Sequence, residues 1–213
     1  ATAVALAARG AGAQAPQPRV TVVARGLDHP WSLAFLPDGR MLVTERRGQL
    51  RVVEPDGRTS APLAGVPQVF ARGQGGLLDV ALGPGFASDR SVFLSYAERT
   101  DDGARTAVAS AEFVDGAAPA LRDARTIFAQ RPAVSGGNHF GSRLVFARDG
   151  TLFVTLGDRF TQRDRAQTLD NHLGKIVRIR ADGSVPPDNP FVDKPGALPE
   201  IHSYGHRNVQ GAA

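Results

Sequence analysis

The feature that most restricts the fold of this 213-residue chain is a repeated strand–turn–strand unit. Residues 32–44 (SLAFLPDGRMLVT) align with residues 142–155 (SRLVFARDGTLFVT), and their hydrophobic and Asp-Gly positions stay in step. A weaker copy lies at 78–95, and a third strand follows the first and last copies, at 49–53 and 175–179. Antiparallel units of roughly 40–55 residues are typical of propeller blades. The tandem repeat therefore predicts an all-β propeller and disfavours the alternative, a β-sandwich.

Short runs rich in Val, Leu, Phe and Thr, bounded by Gly, Pro and Asp-Gly, predict the individual strands. The predicted strands are 20–24, 32–35, 41–45, 50–54, 77–82, 92–97, 107–113, 143–146, 152–156 and 175–180. One short helix is expected within 164–173. Three blades and part of a fourth are visible, whereas propellers close with roughly four to eight. We therefore expect these residues to be part of a longer propeller and to be inactive alone.

The N-terminal 15 residues differ from the rest of the chain. They form a run of small, mostly apolar residues that ends in Ala13-Gln14-Ala15, which resembles a signal-peptidase cleavage pattern. We predict a signal-peptide remnant or a disordered leader at 1–15, followed by a propeller domain at 16–213 in a periplasmic or secreted protein. No apolar run approaches the roughly 20 residues of a membrane span. The basic residues are scattered, so no nucleic-acid surface is expected.

Cysteine is absent, which excludes disulfides, thiolate chemistry and Cys-ligated metals. Four other segments carry a family resemblance through their joint order and spacing. They are residues 27–39 (LDHPWSLAFLPDG), 73–78 (GQGGLL), 138–145 (NHFGSRLV) with 156–158 (LGD), and 173–179 (LGKIVRI) with 203–211 (SYGHRNVQG). Together they resemble the soluble PQQ-dependent aldose sugar dehydrogenases, relatives of soluble quinoprotein glucose dehydrogenase. The resemblance extends from about Leu27 to the last residue. It implies a six-bladed propeller, of which this chain covers roughly the first three to four blades.

The resemblance also implies roles for five side chains. His139 is the expected general base, which takes the sugar hydroxyl proton while the C1 hydride passes to PQQ and the lactone forms. Asp158 is expected to orient and polarise His139, and Arg207 to offset the charge that develops on the reduced quinone. Gln74 and Asn208 are expected to contact PQQ together with these three. An imidazole that titrates near pH 6.5 suits a base, and a guanidinium stays charged and planar.

The resemblance further implies an external electron acceptor and a calcium ion, whose ligands we expect beyond residue 213. No metal site is predicted within these residues, because no spaced run of acidic oxygens is present.

Two other functions stay open at this point. A calcium-dependent propeller lactonase needs acidic ligands on the central axis; Asp158 could serve, but His139 and Arg207 would then have no role. A non-catalytic extracellular binding propeller is the second. His202 and His206 stand four residues apart, a metal-ligand spacing on helices, but Gly205 between them favours packing or hydrogen bonding.

Overall fold

A computed structural model describes residues 18–213, which form eleven β-strands and very little helix. The predicted leader at 1–15 lies outside the described residues. The strands are β1 Pro30–Phe35, β2 Met41–Glu45, β3 Gln49–Val53, β4 Leu77–Leu82, β5 Ser91–Thr100, β6 Gly103–Val114, β7 Ala120–Ala129, β8 Gly141–Phe146, β9 Leu152–Leu156, β10 Lys175–Ile179 and β11 Ile201–Tyr204. A four-residue helix, α1, spans Phe86–Asp89, and a 3₁₀ helix spans Arg163–Gln167. Between residues 18 and 213, no helix has both the length and the apolar character needed to cross a bilayer.

The strands form three antiparallel meanders in chain order. The first sheet contains β1 to β3, the second β4 to β7 and the third β8 to β11, and within each sheet every strand pairs with the next. Sequential meanders of this kind are the blades of a propeller. The all-β architecture predicted from the repeat is therefore the one observed.

The sheets bury their faces against one another. Leu94 of β5 packs in one core cluster with Leu42 of the first sheet, while the preceding Phe93 packs in another with Val154 and Val177 of the third. This follows from the strand period of two, which sends successive side chains to opposite faces. The second sheet therefore lies between the other two.

The outer face of the first sheet is apolar and only partly covered, because Met41, Val43 and Val53 are buried against Ala24 and Leu27. Leu33 and Phe35 of β1 are exposed, and an open cavity of about 510 Å³ lies beside Trp31 and Met41. Exposed apolar surface at a sheet face is uncommon on soluble monomers. This face has the chemistry of an inter-blade surface.

A hydroxyl contact repeats between the sheets. One Ser or Thr on the second strand of each sheet accepts a main-chain N–H from its own first strand, at 2.9 to 3.0 Å. The same hydroxyl donates to a main-chain carbonyl farther along the chain, at 2.6 to 3.0 Å; the acceptor lies on the first strand of the next sheet in two cases and in the segment after β11 in the third. The donor–acceptor pairs are Thr44 with Leu78, Ser95 with Ser142 and Thr155 with Val209. The third pair fixes the segment that follows β11.

Most strand predictions agree with the structure, and the errors have physical causes. Three predicted strands coincide with β2, β4 and β9. The strand predicted at 20–24 is wrong: its valines are exposed and no strand is assigned there. Neither β7 nor β11 was predicted from the sequence. β7 (ALRDARTIFA) has few β-branched residues, and its pairing with the long β6 makes it a strand.

The helix predicted within 164–173 is shorter than expected. Only the 3₁₀ turn at Arg163–Gln167 forms. Beyond it, the Asn171 side chain donates to the Arg165 carbonyl at 3.1 Å and accepts from the Leu173 N–H at 2.8 Å. Such side-chain bonds to the backbone compete with helix formation, so the segment turns instead.

The antiparallel order gives every blade two distinct ends. At one, called the turn end below, lie four Asp-Gly turns, at 38–39, 56–57, 149–150 and 182–183. At the other, called the site end, lie longer connections at 70–76, 130–140, 157–174 and 205–210.

Candidate active site

All five side chains that the resemblance implicates lie at the site end, close to one another. Gln74 precedes β4, His139 precedes β8 and Asp158 follows β9, while Arg207 and Asn208 follow β11. They come from four connections, which the packing of the blades brings together. The structure thus groups every predicted site residue.

His139 and Asp158 form the centre of this group. The Nδ1 atom of His139 lies 2.7 Å from Oδ1 of Asp158, and the two side chains are 14% and 1% exposed. Because an ionised carboxylate can only accept, the tautomer of the neutral imidazole that fits this contact carries its proton on Nδ1 and its lone pair on Nε2. The pair is thus arranged as an oriented base.

The buried Asp158 carboxylate is fully engaged. Its Oδ1 also accepts the Phe160 N–H at 2.8 Å, and its Oδ2 accepts from Nη1 of Arg207 at 3.1 Å. A buried carboxylate needs such hydrogen bonds and a counter-charge to remain ionised. Arg207 supplies that charge while its side chain remains 53% exposed, with its guanidinium 5.5 Å from the Phe160 ring centroid.

Gln74 and Asn208 hold the backbone around His139. The Gln74 Oε1 accepts the His139 N–H at 2.8 Å, and the Asn208 Oδ1 accepts the Gly141 N–H at 3.0 Å. Both side chains are therefore positioned through their amide oxygens, on either side of the base.

The glycine of the Leu-Gly-Asp segment is required by close approach. A Cβ atom on Gly157 would lie 1.9 Å from the carbonyl oxygen of His139, far inside contact distance. The end of β9 can therefore approach the His139 backbone only with glycine at this position.

Three non-glycine residues at the site have left-handed backbones. The φ angles are 53° at His139, 53° at Arg159 and 68° at Phe160. Such conformations cost about 1–2 kcal/mol each and persist where the surroundings hold them. Their concentration here is typical of functional sites.

Two residues that adjoin the pair were not predicted from the sequence. The Phe160 ring stands edge-on to the His139 imidazole, 5.1 Å between centroids, and is 52% exposed. Arg159 is fully buried beneath the loop that carries His139. No local pattern marks either, since an Arg-Phe pair after Gly-Asp resembles any polar turn.

A second missed pair fixes the segment after β11. Arg143 on β8 donates from Nη1 to the buried Asp79 carboxylate at 2.9 Å, and from Nε and Nη2 to the Gln210 carbonyl at 3.2 and 3.1 Å. This anchors the chain just beyond Arg207 and Asn208. Asp79 and Arg143 could have been recognised from the sequence, because they are charged residues in otherwise apolar predicted strands.

His202 and His206 have the packing and hydrogen-bonding roles predicted for them. The His202 ring stands edge-on to Phe153 at 4.9 Å, and Nε2 of His206 lies 2.8 Å from the Ser203 hydroxyl. Burial lowers the pKa of both imidazoles. Within residues 18–213, no three His, Cys, Asp or Glu side chains are grouped so that they could hold a metal ion.

Residues 27–213 match the sequence model of a family described as glucose/sorbosone dehydrogenase. The chain is 53% identical over 196 residues to the aldose sugar dehydrogenase YliI of Escherichia coli (strain K12), an alignment that covers 91% of this chain and 52% of that protein. Its fold resembles the soluble aldose sugar dehydrogenase from Escherichia coli in the apo-form, with a TM-score of 0.85, 51% identity and coverage of 88% and 54% of the two chains.

The fold also resembles the PQQ-bound aldose sugar dehydrogenase from Streptomyces coelicolor, with a TM-score of 0.74 and 34% identity. That match covers 89% of this chain and 54% of the other. The chain thus spans about half the length of the relatives it matches. These likenesses confirm the prediction of a partial β-propeller.

Proposed function

The chain belongs to the glucose/sorbosone dehydrogenase family, and we propose that the whole protein oxidises aldose sugars at C1 to lactones with PQQ as its cofactor. The observation that carries this proposal is the His139–Asp158–Arg207 group, in which an oriented base adjoins a half-exposed guanidinium. Base and cation are the two groups that hydride transfer from an alcohol to a quinone requires of the protein.

The donor set suits PQQ, an anionic quinone that bears carboxylates. Arg207 offers a guanidinium, and Gln74 and Asn208 carry amide groups beside it. Arg46 and Arg72 lie in neighbouring connections at the same end of the blades. The only carboxylate in the centre of the group, Asp158, is neutralised by Arg207. When bound, PQQ would supply the two-electron acceptor that protein side chains lack.

The side chains then have separate tasks. Nε2 of His139 takes the C1 hydroxyl proton as the hydride leaves, and the Asp158 carboxylate stabilises the imidazolium that results. Arg207 stabilises the negative charge that would develop on the oxygen of the electron acceptor. Gln74 and Asn208 hold the backbone of the His139 loop in place. A positioned general base contributes about 10²–10⁴-fold to such a reaction.

The lactonase alternative is less well supported by this geometry. Both oxygens of Asp158 are already bonded, to His139 and Arg207, and a lactonase would give those partners no task. For the whole protein we retain calcium as a proposed second cofactor on the basis of the family resemblance. A periplasmic or secreted location and an external electron acceptor are proposed on the same basis.

The test is reconstitution of the full-length protein with PQQ and calcium, followed by assays with a panel of aldoses and a dye as electron acceptor. We expect dye reduction that depends on both sugar and PQQ, with lactone as the product. Lactone hydrolysis without dye reduction would support the lactonase instead. Sugar binding without turnover would support a non-catalytic binding propeller.

A further inference from the structure

Arg159 is a buried cation whose hydrogen bonds all go to backbone carbonyls. Its guanidinium donates from Nε to Asn138 at 2.9 Å, from Nη1 to Ala104 at 2.5 Å and from Nη2 to Gly136 at 2.7 Å. Its Cζ atom lies 3.8 Å from the centroid of the Phe140 ring. No carboxylate forms a salt bridge with it anywhere in residues 18–213.

This environment is costly for a charged group. Burial lowers the pKa of Arg159 to about 10, which still leaves it charged at neutral pH. A buried charge without a counter-ion persists only where hydrogen bonds replace its hydration. The planar guanidinium does so here by reaching three carbonyls at once, which an ammonium group cannot do in the same geometry.

The three acceptors lie in two different elements. Gly136 and Asn138 belong to the connection that carries His139, and Ala104 lies on β6 of the neighbouring sheet. The Arg159 N–H itself donates to the His139 carbonyl at 3.3 Å, and Asp158 directly precedes Arg159 in the chain. Arg159 therefore joins the Asp158 loop, the His139 loop and the second blade at one point.

We propose that Arg159 is a positioning residue, which fixes the His139 loop so that Nδ1 of His139 stays on the Asp158 carboxylate. The proposal rests on the proposed role of His139 as the base, but it concerns a contact that exists without any bound cofactor. The left-handed backbones of His139 and Arg159 fit this role, because strained conformations need surrounding contacts to hold them.

The chain offers a matched control in Arg178. This side chain is also buried, but it lies toward the turn end of β10 and bonds to Thr151, Asp149 and Asp188. Replacement of either arginine by lysine removes one planar fork from a buried site. Only Arg159→Lys should disturb His139.

The experiment uses the full-length protein and two readouts. The first is the NMR signal of the His139 Nδ1–H proton in the cofactor-free protein, which requires no turnover. The second is the pH profile of kcat at saturating PQQ and sugar. Arg159→Lys should weaken or abolish the proton signal, lower kcat by up to ~10²-fold through misplacement of the base, and move the acid limb of the profile to lower pH. Arg178→Lys should leave all three unchanged.

The proposal is wrong if Arg159→Lys retains the proton signal and the wild-type profile, or if Arg178→Lys alters them equally. If the protein proves to lack sugar dehydrogenase activity, the proton signal still decides the proposal. If Arg159→Lys does not fold, exchange of the Arg159 Nε–H in the wild-type protein decides it, because that proton is donated to the Asn138 carbonyl. Its exchange with solvent should be slowed at least ~10²-fold, whereas exchange at the rate of a free arginine side chain contradicts the anchoring.

Discussion

The connections at the two ends of the blades differ in how regular they are. At the turn end, the same device recurs four times: an Asp carboxylate accepts the N–H two residues later, at 2.9 to 3.1 Å, and a glycine with φ between 80° and 91° follows the Asp. The N–H donors are Arg40, Arg58, Thr151 and Ser184. At the site end, the connections differ in length and conformation, and three of their non-glycine residues have left-handed backbones.

The difference shows how a repeat can carry a unique site. Local turn chemistry at one end sets the length and register of the first and third blades. The other connections are then free to diverge, and packing between blades brings their side chains together. Loops on a rigid scaffold are where binding and catalytic residues concentrate. Substitutions at the site end that displace His139 or its hydrogen-bond partners should therefore reduce turnover, and substitutions at the turn end should reduce stability.

The largest effect is expected for His139→Gln. Loss of the base should lower turnover by about 10²–10⁴-fold at saturating PQQ, while PQQ still binds. His202→Gln is the control, because His202 packs on Phe153 away from the site. Steady-state rates of both variants check the prediction, and near wild-type turnover of His139→Gln would place the base elsewhere.

The next largest difference in turnover is expected between alanine substitutions of two glycines, Gly157 and Gly150. In Gly157→Ala the new methyl group would meet the His139 carbonyl, so the base must shift, with a loss of about 10²-fold in turnover. Gly150→Ala lies at the turn end in open space with φ of 80°, so it should cost about 1 kcal/mol of stability and leave turnover intact. Denaturant unfolding and rate measurements on both variants separate the two effects, and similar turnover losses would contradict the contrast.

A smaller loss is expected for Arg207→Lys. The substitution keeps the charge but loses the planar fork, so PQQ affinity and turnover should each fall roughly 10-fold. Arg180→Lys, at the turn end, is the control. Fluorescence titration with PQQ and rate measurements test this, and an unchanged PQQ affinity would show that Arg207 does not contact the cofactor.

Two basic residues of β10 compare the two ends of the blades through stability rather than through turnover. Lys175 begins β10 at the site end, where its ammonium donates to the carbonyls of Arg165, Ala166 and Leu173, and burial lowers its pKa to about 8. Arg178, near the other end of β10, has a raised pKa because Asp149 and Asp188 pair with it.

Because the folded-state pKa of Lys175 lies below its ordinary value of 10.5, the unfolded chain binds the proton more tightly. The free energy of unfolding should therefore rise between about pH 8 and 10.5, by up to roughly 3 kcal/mol. Lys175→Met should abolish that rise while leaving neutral-pH turnover close to wild type. Urea unfolding of both proteins across this range measures it, and an equal rise in the variant would assign the effect to other groups.

Sequence reasoning succeeded where structure is local and failed where it is tertiary. The Asp-Gly turns and the bounds of β2, β4 and β9 follow from nearby residues, so the repeat predicts them. β7 was missed because pairing with β6 makes it a strand despite its composition. The site residues came from a family resemblance, since nothing local distinguishes His139 from a turn histidine. Arg159 was missed because its burial depends on carbonyls of two distant segments.

Two aspartates that flank β9 compare a residue of the His139 group with a residue of the Asp-Gly turns. Asp158 follows the strand and bonds to His139, whereas Asp149 precedes it and bonds to Thr151 and Arg178. These bonds lower the pKa of Asp149 to about 2, so its carboxylate stabilises the fold above its ordinary value of 3.8, and that contribution is lost as the pH falls through about 2.

The most direct test is turnover of Asp158→Asn and Asp149→Asn in the full-length protein at saturating PQQ and sugar, as a function of pH. Asp158→Asn should lower turnover, though less than His139→Gln, and move the acid limb of the profile to lower pH because the imidazolium loses its negative partner. Asp149→Asn should leave the profile unchanged and lower only the unfolding free energy. Wild-type turnover in Asp158→Asn, or an equal loss in both variants, would contradict the account.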